Sequence, residues 1–267
     1  MDVHAVELPG AVVVGVDGSP WSLNALDWAV PEAVSRDVPL RLIHAVPAAL
    51  PRESGSDDRG WDAILVEAQD VATQTHRGVC VETASVVGTP GEVLERESAE
   101  AAMVCIGARP PHVAGGRLFG GTAIHLADHA RCPVAIIRSG DDGRARVGGV
   151  VAVVLSDEPD NDDVVHLAMQ EGRLRDATVR QIDRRVDSWI RRYPDVHVET
   201  VSAGTGWVGR RDEDPHDRQV GLAVVGTSDA DTLTSLAVPN CHPILGYPDC
   251  SVVLVRQATA EPAVRPV

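Results

Sequence analysis

The chain has 267 residues, 44% of them hydrophobic, enough for one large α/β domain or two of roughly 110 to 140 residues each. Its 24 basic residues, every one an arginine, face 39 acidic ones, leaving a net charge of −15. That balance excludes free nucleic acid as a natural partner, and the lack of lysine excludes a P-loop lysine, a Schiff base and a lysine general base.

Only eight residues are aromatic, so the core is aliphatic, as in parallel sheets covered by helices on both faces. No apolar run approaches the roughly 18 residues of a membrane span. Met1 to Gly10 carries no basic n-region and no cleavage pattern, so the expectation is a cytoplasmic protein without membrane partners. Cys80, Cys105, Cys132, Cys241 and Cys250 form no CxxC pair, and are read as reduced thiols without zinc. Cys105, Cys132 and Cys250 stand in or beside apolar runs, where cysteine is a small hydrophobe.

The first predicted strand is the unbroken apolar run from Ala11 to Val16, ending at Asp17-Gly18-Ser19-Pro20. Ser19 is a candidate cap for a helix from Trp21 to Arg36, with Pro20 at its first position and Pro31 as a candidate kink. A strand over Leu40–Val46 follows, then a polar loop from Pro47 to Gly60 and a helix over Trp61–Thr75. Next come a strand from Val79 to Ser85, a capped turn at Gly88-Thr89-Pro90-Gly91 and a helix near Glu92–Ala101. A fourth strand ends at Gly107, and a fifth spans Val134–Ile137. Strands alternating with helices predict a doubly wound parallel sheet.

Ser139 to Arg146 reads as a linker, after which the plan repeats in shortened form. Gly149–Leu155 matches the first strand, Arg175-Asp176 echoes Arg36-Asp37, and Val198-Glu199-Thr200 echoes Val81-Glu82-Thr83. The offset falls from 139 to 117 residues, so the second copy has lost about twenty residues around its second strand and the loop after it. Ala177–Ile182 is read as the remnant of that strand. The expected domains are 1–140 and 147–258.

In an open parallel sheet, ligands bind beyond the carboxyl ends of the strands where strand order reverses. If the first and fourth strands are neighbours, Asp17 and the loop after Gly107 face one crevice. Asp17 is read either as a ligand for a ribose hydroxyl or for a phosphate-bound metal, or as the start of an Asx turn. Gly107, Gly115, Gly116, Gly120 and Gly121 are candidates for a phosphate cradle, with Arg109 and Arg117 as its cations. Thr122 would touch a phosphate or cap the helix that follows. His44, His112, His125 and His129 show no metal-site spacing with a carboxylate, and His125 and His129 are read as surface residues. No catalytic motif is present: no nucleophile elbow, no HExxH and no GxGxxG.

Val13-Val14-Gly15-Val16-Asp17-Gly18-Ser19, the Gly107–Thr122 loop and Cys132-Pro133-Val134 together resemble the universal stress proteins in their tandem actinobacterial form. Pro248 to Arg256 resembles the closing strand of the same fold. The resemblance implies two tandem Rossmann-like modules, each a doubly wound five-stranded parallel sheet, the second shortened and degenerate. It also implies ATP, with or without magnesium, in some members. Those members carry G-x2-G-x9-G-[S/T] after the fourth strand. Gly107 and Gly120 fit two of the glycines, Pro110 replaces another, and Gly121 stands where the serine or threonine belongs, with Thr122 one place late. Asp17 matches the family's acidic residue, and Val46 a position lining the adenine pocket.

In the second module Ser156 replaces the acid, Asp229 replaces a glycine, and Pro239 and Asn240 fall on the last phosphate positions. No nucleotide is expected there, because Asp229 and Asp231 would repel phosphate. The resemblance further implies pairing of fifth strands, here within one chain through Val134–Ile137 and Val252–Val255, with a homodimer as a further option. Two readings follow. One is a stress-response regulator or sensor binding ATP or a related adenine nucleotide in its first module. The other is a nucleotide-independent protein-interaction module. Any ATP hydrolysis would be slow, since no general base or arginine finger is evident.

Overall fold

The computed structural model describes residues 10–47, 58–76, 78–109, 119–139, 143–145, 149–154, 161–183, 193–202, 220–226 and 250–256. Among them the chain forms β1 (Val12–Gly15), α1 (Pro20–Arg36), β2 (Leu40–Val46), α2 (Asp58–Thr75), β3 (Val81–Val87), α3 (Pro90–Glu97), β4 (Met103–Ala108), α4 (Gly121–His129) and β5 (Val134–Arg138). It continues with β6 (Val150–Val154), α5 (Asn161–Leu174), β7 (Val179–Asp183), β8 (Val198–Ser202), β9 (Val220–Val225) and β10 (Ser251–Leu254).

Local chemistry sets the helix boundaries. The Ser19 hydroxyl accepts from the Ser22 amide, with Pro20 on the first helical position of α1. Thr89 and Glu92 form a reciprocal capping box on α3. α1 continues through Pro31 for 17 residues and closes on Asp37, held left-handed at φ 55°. Asp176, its repeat counterpart after α5, is left-handed too, at φ 49°.

These strands hydrogen-bond into one sheet in the order β3-β2-β1-β4-β5-β10-β9-β6-β7-β8. Neighbours run parallel except at the centre, where β10 meets β5 antiparallel with Val252 opposite Ile136 and Leu254 opposite Val134. This is the intrachain joint expected between the fifth strands, and the strand order on its two sides is the same. Spacing repeats as well: 24 residues separate β1 from β2 and β6 from β7, and 25 separate β4 from β5 and β9 from β10. Between β2 and β3 there are 34 residues, but between β7 and β8 only 14. The shortening therefore falls after β7.

The strand read as a remnant is complete. β7 pairs with both β6 and β8. Its sequence masks it because Arg180 and Gln181 interrupt the apolar run, yet both are buried, and Arg180 reaches Glu199 on β8 at 3.4 Å.

Alternation along the strands builds two cores. On one face Val12, Val14, Leu42 and Cys105 pack with Leu26 and Ala29 of α1 and Ala68 of α2. That cluster crosses the joint without a break, taking in Val164 and Ala168 of α5, Val224 and Val253. On the opposite face Val13, Ile43, Val104 and Ile136 pack with Leu94 of α3 and Leu126 of α4. Cys105 and Cys132 lie inside these layers, where burial pushes the first thiol well above its ordinary value and the second up to about 12. Neither is poised for thiolate chemistry.

Where the end of α5 meets α1, the duplication buries charge. Glu32 and Arg36 are repeated 139 positions later as Glu171 and Arg175. The Arg175 guanidinium donates to Glu32 at 2.6 Å and to Glu171 at 2.9 Å, while Arg36 donates to Glu32 at 3.2 Å. The Arg175 guanidinium also lies over the Trp28 ring, its carbon 4.2 Å from the centroid. Burial, and then the facing Glu32 carboxylate, push the Glu171 carboxyl up to about 8, against the opposing pull of Arg175 and Arg36.

Glu171 thus holds its proton more tightly in the folded state than in the open chain. The folded state carries the extra proton between pH 4.5 and about 8, so this group's contribution to stability is lost as pH rises through that window. Glu171→Gln, which cannot ionise, is expected to gain in thermal midpoint relative to the wild type as pH rises across it. Arg175→Met leaves the buried Glu171 carboxyl without its guanidinium and Glu32 with Arg36 alone, and is expected to cost about 3–5 kcal/mol in urea unfolding.

Candidate functional site

β1 and β4 are hydrogen-bonded neighbours, and strand order reverses beside them. Beyond their carboxyl ends lies a cavity of about 240 Å³. Asp17, Ser19, Ala45, Arg109, Gly120 and Thr122 are among the residues that border it.

Asp17 follows β1 at a tight turn. Its Oδ1 accepts from the Ser19 amide at 3.0 Å and from the Ser19 hydroxyl at 2.5 Å. Its own amide donates to the Ser22 hydroxyl at 3.3 Å. The Asx turn therefore forms, and the same residue borders the cavity, so the two readings of Asp17 coexist. Burial pushes its carboxyl up, but the hydrogen bonds from Ser19 and Ser22 and the Arg109 guanidinium outweigh that and hold it below its ordinary value. Asp17 is ionised at neutral pH.

Arg109 leaves the end of β4 exposed, its guanidinium over the Trp21 ring with the carbon 5.0 Å from the centroid. Gly107 also borders the cavity, but packing explains its lack of a side chain. A Cβ there would come within 2.1 Å of the Trp21 carbonyl oxygen and 2.7 Å of the Ser22 amide nitrogen. Gly107 is the seat on which the first turn of α1 rests. Gly120 and Gly121 differ, since a Cβ on either would meet nothing within 4 Å among the described residues.

α4 begins there with Gly120 as its cap and no side-chain cap bond. Its first amides, without an intrahelical partner, carry the positive end of the helix dipole. Thr122 does not cap α4: it sits two places past the cap, bordering the cavity. Val46 is buried at the end of β2, and Ala45, one place earlier, lines the cavity. Alternation puts Ala45 and Ile43 on the α3–α4 face, where the cavity opens. Pro110, Gly115, Gly116 and Arg117, like Ser156, Asp229, Asp231, Pro239 and Asn240, lie outside the described residues.

Sequence reasoning missed His44 and Trp21. His44 is buried, with Nδ1 2.7 Å from the Val16 carbonyl oxygen, so Nδ1 donates and the imidazole ties β2 to the residue before Asp17. A histidine inside the apolar run Leu42-Ile43-His44-Ala45 was the available signal, because a buried polar group needs a partner. His125 and His129 do share a helical face, stacked at 4.5 Å, but His125 bonds Glu95 at 2.7 Å. No metal-holding cluster exists among the described residues.

The glycines separate by experiment. Gly107→Ala drives a methyl into the α1 backbone and is expected to cost about 1–3 kcal/mol in chemical unfolding. Gly121→Ala is expected to stay within about 0.5 kcal/mol of the wild type.

The universal stress protein family model matches residues 10–138. The chain is 36% identical to the universal stress protein Rv2624c of Mycobacterium tuberculosis, across 92% of this chain and 96% of that one. The crystal structure of a universal stress protein from Archaeoglobus fulgidus superposes with a TM-score of 0.63 at 11% identity, covering 95% of this chain and 98% of that one. A universal stress protein solved in complex with cAMP is 27% identical, with a TM-score of 0.41, over 49% of this chain and 98% of the other. From strand order, repeat and sequence likeness together, the chain belongs to the universal stress protein family.

Proposed function

We propose that this protein is a stress-response regulator or sensor that binds ATP or a related adenine nucleotide in its first half. The carrying observation is convergence: Asp17, Arg109 and the side-chain-uncapped start of α4 all border one cavity at the switch point. The fit is chemical. Arg109 and the α4 amides suit a phosphate, Asp17 suits a ribose hydroxyl, and Ile43, Ala45, Pro90 and Leu94 offer apolar surface for a base. We take the two functional units as 1–140 and 147–258, with nucleotide confined to the first and the second serving as its structural partner. The reading includes neither a catalytic residue nor a metal ligand.

Isothermal titration of the full chain with ATP and magnesium tests this. One site per chain is expected, with affinity lost in Asp17→Ala. ATP at a hundred times its dissociation constant should also stabilise the fold by about 2.7 kcal/mol. Absence of heat at millimolar ATP, with an unchanged melting temperature, would overturn the reading in favour of a nucleotide-independent interaction module.

A further inference from the structure

Arg109 is exposed and borders the cavity together with an ionised carboxylate, Asp17. An anion entering that space meets repulsion from Asp17 unless the opposing cation is kept close. A free arginine side chain on a surface spreads over many rotamers, and its charge spreads with them. Here the guanidinium lies over the face of an indole, Trp21, the side where the ring quadrupole attracts a cation.

Trp21 is itself fixed from its backbone. It occupies the first turn of α1 between Pro20 and Ser22, behind the Ser19 cap, and its carbonyl oxygen rests against Gly107. It is not one of the residues bordering the cavity, so whatever it does for a ligand it does through Arg109.

We propose that Trp21 is a positioning residue: it holds the Arg109 guanidinium beside Asp17, and so makes the cavity select ligands that carry a phosphate over the bare nucleoside. This rests on the reading of the cavity as an adenine-nucleotide site. The logic is one of difference. Adenosine presents no anion to the guanidinium and gains nothing from its being held. A phosphate gains a nearby charge with little entropy left to lose.

The test uses the full-length protein with ATP and adenosine as probes, and follows the Asp17 carboxyl by NMR titration without ligand. Arg109→Gln is expected to weaken ATP about tenfold or more. Trp21→Leu is expected to weaken ATP about two- to fivefold and leave adenosine unchanged, and Trp21→Phe, which keeps a ring, to restore most of the loss. In both Arg109→Gln and Trp21→Leu the Asp17 carboxyl should titrate higher than in the wild type, because Arg109 is one of the groups holding it down. Equal weakening of ATP and adenosine by Trp21→Leu would overturn the proposal and leave Trp21 a structural residue. So would an Asp17 titration that moves in Arg109→Gln but not in Trp21→Leu. If the wild type binds neither probe, the nucleotide reading falls and the selectivity with it. The ligand-free titration then still decides whether Trp21 holds Arg109.

Discussion

The cavity depends on one close contact, the first turn of α1 lying directly on β4 at Gly107. With a Cβ there only 2.1 Å from the Trp21 carbonyl oxygen, no other residue type lets the helix sit so low. The depth of that seat has consequences on both sides. It brings the Ser19 cap and the Asp17 turn to the end of β4, where Arg109 emerges, and it sets the Trp21 ring beneath that arginine. His44 secures the same turn from the other neighbour of β1, through the Val16 carbonyl. Charge, turn and helix start are thus placed by backbone packing before any ligand enters, which is what preorganisation requires.

The two halves are joined by more than a strand edge. β5 is buried along its whole length, and the core cluster around α1 continues into α5, β9 and β10. A buried edge needs a partner for every backbone group, so β10 completes the first half as much as it belongs to the second. The four-membered Glu32, Arg36, Glu171 and Arg175 cluster shows how a duplicated surface settles against itself. The two copies are equivalent in sequence but not in bonding, since Arg175 serves both carboxylates while Arg36 serves one. Burial first, and then the Glu32 carboxylate that shares the same guanidinium, explain why Glu171 keeps its proton.

Most of the fold was legible because its signals are local and periodic. Leu40–Val46 reads as a strand and is one, residue for residue, and the Ser19 and Thr89 caps announce their helices. What stayed hidden depended on tertiary context. β7 is concealed by Arg180 and Gln181, whose burial no pattern of polarity reveals. At the site, Asp17, Gly107 and Arg109 could be named from the sequence and border the cavity, and of the neighbouring pair on β2 it is Ala45 rather than Val46 that lines it. A glycine in a phosphate motif and a glycine under a helix look identical in sequence, and a slip of one residue in a strand exchanges the wall-forming Ala45 for Val46.

The pattern of loss in the second half follows from the joint. The elements closest to it, β10, β9, β6 and α5, keep the spacing of their counterparts, and the twenty missing residues fall between β7 and β8, the two strands farthest away. Burial explains the gradient. Any shortening near the joint would expose β5 and open the core around α1, removing the support on which Gly107, Trp21 and Asp17 rely. Shortening at the outer edge disturbs only the second half itself. Such a unit can therefore shorten from its far side inward while the strands facing its partner stay fixed, because what constrains them is the stability of the neighbouring core.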